Sequence, residues 1–339
     1  MAEHKRVGKL RCMTDPMKVF ASCVRGHLVS APEKNLLALD FAGIESRVTA
    51  WLAGEMWKLD AFRAYDAGTG PDTYKLAYAR AFRVPVESIG DDDPRRQVGK
   101  VMELSLGYQG GVGAFTTMTK TYGVKLDELA DTAYPILPDD VREEAEFFME
   151  KNGTQGLSPS VFVTCDSLKR LWRRAHPRIV DLWQDMQKAA VYATSNPGKV
   201  YSIPSKKIRF CTRDRWLYMG LPSGRRIAYF EPEINEDEQL TYMGVHTKTR
   251  QWTRVTTYGG KLVQNAGEGV PRDLLVHGIL AAEAVGYSTV MTVHDEAVFE
   301  VDEGFGSLEE ARALMCATPT WAKGLPVTAK GFIGRRYKK

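Results

Sequence analysis

No two cysteines of this chain are spaced as a CxxC pair. The five that occur (Cys12, Cys23, Cys165, Cys211 and Cys316) are odd in number and widely scattered. That argues against a disulfide framework and a cysteine-based zinc site, and it fits a reducing cytoplasm. The N-terminus, Met1 to Arg6, has no apolar signal core, and no uncharged stretch reaches membrane-spanning length. A soluble, intracellular protein with no membrane partner is expected. Low-complexity tracts, internal repeats and a phosphate loop of the form GxxxxGK followed by Ser or Thr are also absent. What remains is an ordinary globular composition. Of 339 residues, 44% are hydrophobic and 26% charged, enough for a large core and about two or three subdomains. The net charge of +4 permits a polyanionic partner without requiring one.

The hydrophobic period changes along the chain. Residues 1–35 are mixed and basic, with a short helix expected around 17–24. Residues 36–39 read as a buried strand, and Ile44, Val48, Trp51 and Leu52 then recur at helical spacing. Residues 58–130 read as mostly helical, broken at 68–71. A looser acidic stretch, 126–150, precedes the breaker-rich segment 152–160, a hinge or surface loop. Residues 167–193 are helical again, interrupted at His176-Pro177. From 200 to 252 the period shifts toward two, with a turn at 221–226. A helix over roughly 263–285, a hairpin, a helix near 308–316 and a basic tail complete the chain. A small sheet built from distant segments, with a helical insertion between them, is an α+β pattern.

Three segments carry chemistry. In the first, Asp40 follows the apolar run Leu36-Leu37-Ala38-Leu39 and precedes a helix start, with Glu45 in the first helical turn. A strand-end Asp also serves as a helix cap or an edge polar group, and an acid in a first turn is favoured by the helix dipole alone. In the second, Asp91-Asp92-Asp93-Pro94 opens a helix with Asp93 as N-cap and Pro94 at the first position. Arg96, Lys100, Leu104 and Tyr108 follow at four-residue steps. Such residues drift about 40° per step and form one slanting stripe. Phosphates against the two cations and a base near the ring fit that stripe; a solvated basic face running into core residues also fits it. Gly107, Gly110, Gly111 and Gly113 would let another backbone approach closely. In the third segment, β-rich runs flank His294-Asp295-Glu296, a hairpin with acids at its tip.

The three segments together resemble motifs A, B and C of the family A (polymerase-I-like) DNA polymerases, and the string Gly-Lys-Val-Met-Glu-Leu-Ser-Leu-Gly-Tyr-Gln-Gly-Gly resembles the phage-encoded branch. Against the motif A pattern Asp-Tyr-Ser-Gln-Ile-Glu-Leu-Arg, Asp40, Ile44, Glu45 and Arg47 match, while Phe41, Ala42 and Gly43 depart. Against motif B, Arg96, Lys100 and Tyr108 match, Leu104 stands where the family has Phe or Tyr, and Gln109 replaces a Gly. Val-His-Asp-Glu-Ala-Val-Phe-Glu-Val is a near-complete motif C. The resemblance implies a right-hand polymerase. Its palm is expected at 15–60 and 165–339, a small antiparallel sheet with helices. Helical fingers are expected at 61–164, after an N-terminal extension, 1–14. It implies template-directed DNA synthesis, with primed template DNA and deoxynucleoside triphosphates as partners, in the cytoplasm of a bacterium or phage-infected cell. Asp40, the Phe41 carbonyl and Asp295 would bind two Mg²⁺ ions about 3.5–4 Å apart. Glu45 would block a ribose 2′-hydroxyl, and Arg96, Lys100, Leu104 and Tyr108 would hold the nucleotide. His294 would touch the primer end and Glu296 act as an auxiliary acid. A Gln of the phage relatives that contacts DNA aligns with Glu268, one turn after Gln264. Pro271 implies a kink in that helix.

Family members carry several hundred residues before motif A, whereas 39 precede Asp40 here. Proofreading-exonuclease carboxylate motifs are not seen. Thumb and exonuclease domain are therefore expected to be absent, the chain being a shortened form, a minimal enzyme or one half of a split polymerase with a separate thumb/exonuclease polypeptide. A two-metal nuclease or phosphatase would not need the Arg96–Tyr108 stripe. A non-catalytic polymerase-like subunit would typically have lost a metal carboxylate.

Overall fold

The computed structural model describes Met17 and residues 23–338; the expected extension 1–14, and most of the expected helix at 17–24, lie outside the described residues. In chain order the elements begin with β1 (Lys34–Phe41), α1 (Ile44–Ala53), α2 (Met56–Asp66), α3 (Thr73–Phe82), α4 (Pro94–Leu106) and α5 (Val112–Thr121). Then come α6 (Leu126–Ala133), α7 (Asp139–Asn152), α8 (Pro159–Ala175) and α9 (Pro177–Ser195). Strands β2 (Val200–Ser202), β3 (Arg209–Arg213), β4 (Trp216–Gly220), β5 (Arg226–Ile234), β6 (Leu240–Val245) and β7 (Trp252–Thr256) follow. The chain ends with α10 (Gly259–Glu283), β8 (Ser288–Val293), β9 (Glu296–Asp302), α11 (Leu308–Met315) and β10 (Ala329–Gly334). The α+β class is as expected. Among the described residues no helix is long and apolar enough to cross a membrane.

The chain packs as two compact units. One takes the described residues up to Ile44, Arg272–Pro319 and the residues from Val327 on; the other takes Glu45–Pro271 and Thr320–Pro326. The first is built on a four-stranded antiparallel sheet in the order β10-β1-β9-β8. Strand β1 is central, which explains its unbroken apolar run. Leu36, Leu37, Ala38 and Leu39 are all buried, so both faces of the strand are covered. One face places Leu36, Ala38 and Val298 against the Tyr337 ring, with Phe332 and Met291 at the rim. α11 packs on β1 and β10.

The second unit holds α1 to α9, the start of α10 and a six-stranded antiparallel meander, β2 to β7 in sequential order. The Asp93 carboxylate caps α4 by accepting from the Arg95 amide at 2.8 Å, with Pro94 at the first turn, as its sequence requires. Asp72 caps α3 in the same way through the Tyr74 amide at 2.7 Å. A close backbone approach does occur just after α4, but the glycine that permits it is Gly260 of α10, where a Cβ would lie 2.4 Å from the Tyr108 carbonyl oxygen. A side chain at Gly111 or Gly113 would meet nothing within 4 Å, and one at Gly110 would meet the local Ser105 carbonyl. A second tight position is Gly99 inside α4, where a Cβ would lie 2.0 Å from the Tyr74 carbonyl oxygen of α3. The acidic stretch 126–150 is not loose. It forms α6 and α7, whose buried residues Leu129, Val141 and Ala145 pack beside α8. Arg170 and Arg174 of α8 reach back to Asp140 and Glu144. The interruption at His176-Pro177 is real, Pro177 opening α9, whereas α10 runs through Pro271 without ending.

Candidate active site

In the first unit the two aspartates lie at one end of the sheet, Asp40 near the end of central β1 and Asp295 in the turn between β8 and β9. Asp40 lies opposite Glu296 in the β1–β9 register, and the Phe41 amide donates to the Asp295 carbonyl at 3.3 Å. A two-residue tip, His294-Asp295, joins β8 to β9, with His294 exposed and in the left-handed region at φ 54°. Asp40 and Asp295 are half-buried. Phe41 is 4% exposed, at the end of β1. Glu296 is different: it is 3% exposed, and the Tyr337 hydroxyl donates a short hydrogen bond to it. Burial, then this carboxylate, pushes the Tyr337 phenol up to about 12. Tyr337 carries no motif and counted only as part of a basic tail. Lys330 is the residue directly opposite Asp40 on β10, a neighbour visible only once the register is known.

Carboxylate oxygens are hard donors suited to Mg²⁺. Among the described residues no group of three or more His, Cys, Asp or Glu could hold a metal ion by itself. Two aspartates at one end of a sheet leave further positions to phosphate and water oxygens, which is how Mg²⁺ is usually held.

The second unit carries the stripe. Arg96 donates to Asp72 at 2.8 Å and lies 5.6 Å from the centre of the Tyr74 ring; the Asp72 hydrogen bond raises its pKa. The Lys100 ammonium sits 4.4 Å from the Tyr122 ring centre. Leu104 is 37% exposed. The Tyr108 hydroxyl donates to Glu45 at 3.1 Å, a contact not foreseen from either motif. Burial first, and the Glu45 carboxylate second, hold the Tyr108 phenol well above its ordinary value, so it stays a neutral donor. Glu45, Thr49, Leu104 and Tyr108 line a cavity of about 50 Å³, with Glu103 and Trp172 behind them. On α10 the Gln264 amide donates to Glu268 at 3.0 Å, so both residues occupy one face of the helix.

A buried charged cluster lies behind the cavity. The Glu103 carboxylate accepts from the Trp172 indole at 2.9 Å, from Ser46 at 3.3 Å and, at short range, from Lys58. His176 lies 3.3 Å from it and stacks on Trp172 with ring centres 4.0 Å apart. Burial pulls the Glu103 carboxyl up, but Lys58 and His176 together outweigh it and hold the group well below the usual carboxylate range. Burial, then the Lys58 charge, lowers the His176 pKa. The five side chains come from α1, α2, α4, α8 and the α8–α9 junction; Trp172 and His176 stand four residues apart, and the others come from distant segments.

Comparison with solved structures finds a likeness of fold. The chain superposes on the POL domain of Pol1 from M. smegmatis, solved in complex with DNA primer-template and dNTP. The TM-score is 0.54 at 20% identity, over 93% of this chain and 42% of that one, a likeness of fold. No family model matches the chain. Among curated proteins it is 36% identical over 326 residues to the DNA polymerase of Bacillus phage SP02, covering 95% of this chain and 44% of the relative. The chain is thus similar to a phage DNA polymerase and spans less than half the length of that relative.

Proposed function

We propose that the chain carries out template-directed DNA synthesis, adding deoxynucleotides to a primer 3′ end. The observation that carries this reading is that Asp40 and Asp295 come to the same end of the β1–β9 strand pair in a chain similar to a phage DNA polymerase. Asp40, the Phe41 carbonyl and Asp295 would hold two Mg²⁺ ions. When bound, these supply activation of the primer hydroxyl and neutralisation of the triphosphate and leaving pyrophosphate. Arg96 and Lys100 bind phosphate oxygens by charge-assisted hydrogen bonds, Arg96 exchanging Asp72 for the ligand. Leu104 and Tyr108 flank the base and sugar, and Glu45 fills the space a 2′-hydroxyl needs. His294, at the exposed hairpin tip, meets the primer end; Glu296 supports the strand pair from below; Gln264 and Glu268 present one polar face of α10 to the duplex. In this reading residues 15–60 and 165–339 act as palm and 61–164 as fingers. A separate polypeptide carrying thumb and exonuclease is proposed as a partner, testable by copurification and by a gain in processivity when it is added.

The test is single-nucleotide incorporation on a primed template. Asp40→Asn or Asp295→Asn should lower the rate at least ~10³-fold, about 4 kcal/mol of transition-state stabilisation, with primed-template affinity nearly unchanged. Near-normal rates in either variant would sink the assignment.

A further inference from the structure

The meander β2–β7 has two unlike faces. Alternate residues Phe210, Leu217, Met219 and Tyr229 are at most 3% exposed and form the inner face, against α9. The intervening residues form the outer face. In register across five strands, one outer row reads Arg213, Trp216, Phe230, Met243, Arg254. A parallel row reads Arg209, Gly220, Arg226, and Tyr218 lies between the rows. The aromatic rings are contiguous: Trp216 and Phe230 have centres 4.7 Å apart, and Phe230 and Trp252 6.3 Å. Trp252 is 59% exposed and Trp216 37%.

The charge on this face is one-sided. Glu231 is paired with Arg215, and Glu233 with Arg254 at 3.1 Å. Arg209, Arg213 and Arg226 line a cavity of about 300 Å³ with Tyr218 and no carboxylate. Among the described residues none of these three arginines has an ion pair. Cross-strand aromatic pairs stabilise a sheet by themselves. They do not account for three like charges gathered around one cavity, an arrangement that repels until an anion arrives. Phosphates satisfy the arginines, and exposed ring faces beside them offer stacking to bases. A duplex hides its base faces; a single strand presents them.

We propose that the outer face of β2–β7 is a binding site for single-stranded DNA, with Arg209, Arg213 and Arg226 on the phosphates and Trp216 and Trp252 stacked on bases. The site works without metal or nucleotide, so its test is independent of the carboxylate chemistry.

The experiment is fluorescence anisotropy with the full chain in EDTA, on a labelled oligo-dT strand and on a blunt duplex of equal length. Arg209→Gln/Arg213→Gln/Arg226→Gln should weaken oligo-dT binding at least ~10-fold and reduce the log–log salt slope by about 2, at roughly 0.7 per single-strand phosphate. Trp216→Ala/Trp252→Ala should weaken it on the order of 10-fold and leave the slope unchanged, because stacking releases no counterions. Duplex affinity should stay within about twofold for both. Trp252→Ala alone, at the more exposed ring, covers the case in which the double variant melts early by circular dichroism; it should weaken oligo-dT binding on the order of 5-fold. Unchanged oligo-dT affinity in the arginine variant or in a folded tryptophan variant would overturn the proposal. So would an equal loss on duplex, which marks general electrostatics. Loss of a copurifying polypeptide with DNA binding intact would assign the face to a protein instead.

Discussion

Glu45 and Tyr108 show how two residues read separately become one device. In the sequence each has its own motif and an independent role; in the structure the phenol donates to the carboxylate at 3.1 Å. A hydrogen bond to a charged group is worth about 1.5–3 kcal/mol. It holds the Glu45 carboxylate in place and so, in the proposed role, sets the space left for the sugar. Glu45→Ala should therefore raise ribonucleotide use relative to deoxyribonucleotide use, and Tyr108→Phe should raise it less, since the carboxylate remains but is less firmly held. The ratio of kcat/KM for the two sugars checks both. A flat ratio in Glu45→Ala would leave this residue as a helix-start acid only.

At the scale of elements, α4 is held from two sides. Its cap and first turn are local and follow from Asp93-Pro94. Its seat against α3 depends on Gly99, whose Cβ would lie 2.0 Å from the Tyr74 carbonyl oxygen. Backbone cannot give way as a side-chain tip can, so Gly99→Ala must push the two helices apart. Over-packing of this kind costs about 1–3 kcal/mol. It should outweigh the roughly 1 kcal/mol that alanine gains over glycine in a helix, giving a lower melting temperature. An unchanged or higher melting temperature would mean that α3 and α4 separate freely. Because Arg96 and Lys100 ride on α4, the same variant should, under the proposed function, raise KM for the nucleotide.

Over the whole molecule, the buried cluster around Glu103 shapes the response to acid. The His176 pKa is lowered in the folded protein, so below about pH 6.5 the unfolded chain takes up a proton that the folded one refuses. The Glu103 pKa is also lowered, so its stabilisation is complete above about pH 4.5 and is lost as pH falls toward its folded value. Both effects have the same sign. Melting temperature should be level from pH 8 to about 7, fall from about 6.5 downward, and fall faster below about 4.5. Glu103→Gln leaves the Lys58 ammonium buried without its counter-charge, at a cost of about 3–5 kcal/mol, and should flatten the limb below pH 4.5. Calorimetry across that range checks it, and a melting temperature that rises on acidification would reverse the assignment.

The sequence by itself determined what local chemistry controls. The apolar run of β1 marks a strand, Asp93-Pro94 starts a helix, the switch to period two marks β2–β7, and the motif strings carry the resemblance to a polymerase family. Each rests on neighbours within a few residues, where propensity and side-chain period act directly. Where acidic residues are frequent, in α6 and α7, that local signal misled, because burial against α8 and pairing with its arginines supply the missing stabilisation. Tertiary structure alone decided the rest: Asp40 beside Asp295, Lys330 opposite Asp40, Tyr337 on Glu296, the Glu103 cluster, and the arginine and tryptophan rows of the meander. Apart from the meander rows, which join consecutive strands, these contacts link segments far apart in the chain, and all of their partners are selected by strand register and by the burial of whole faces.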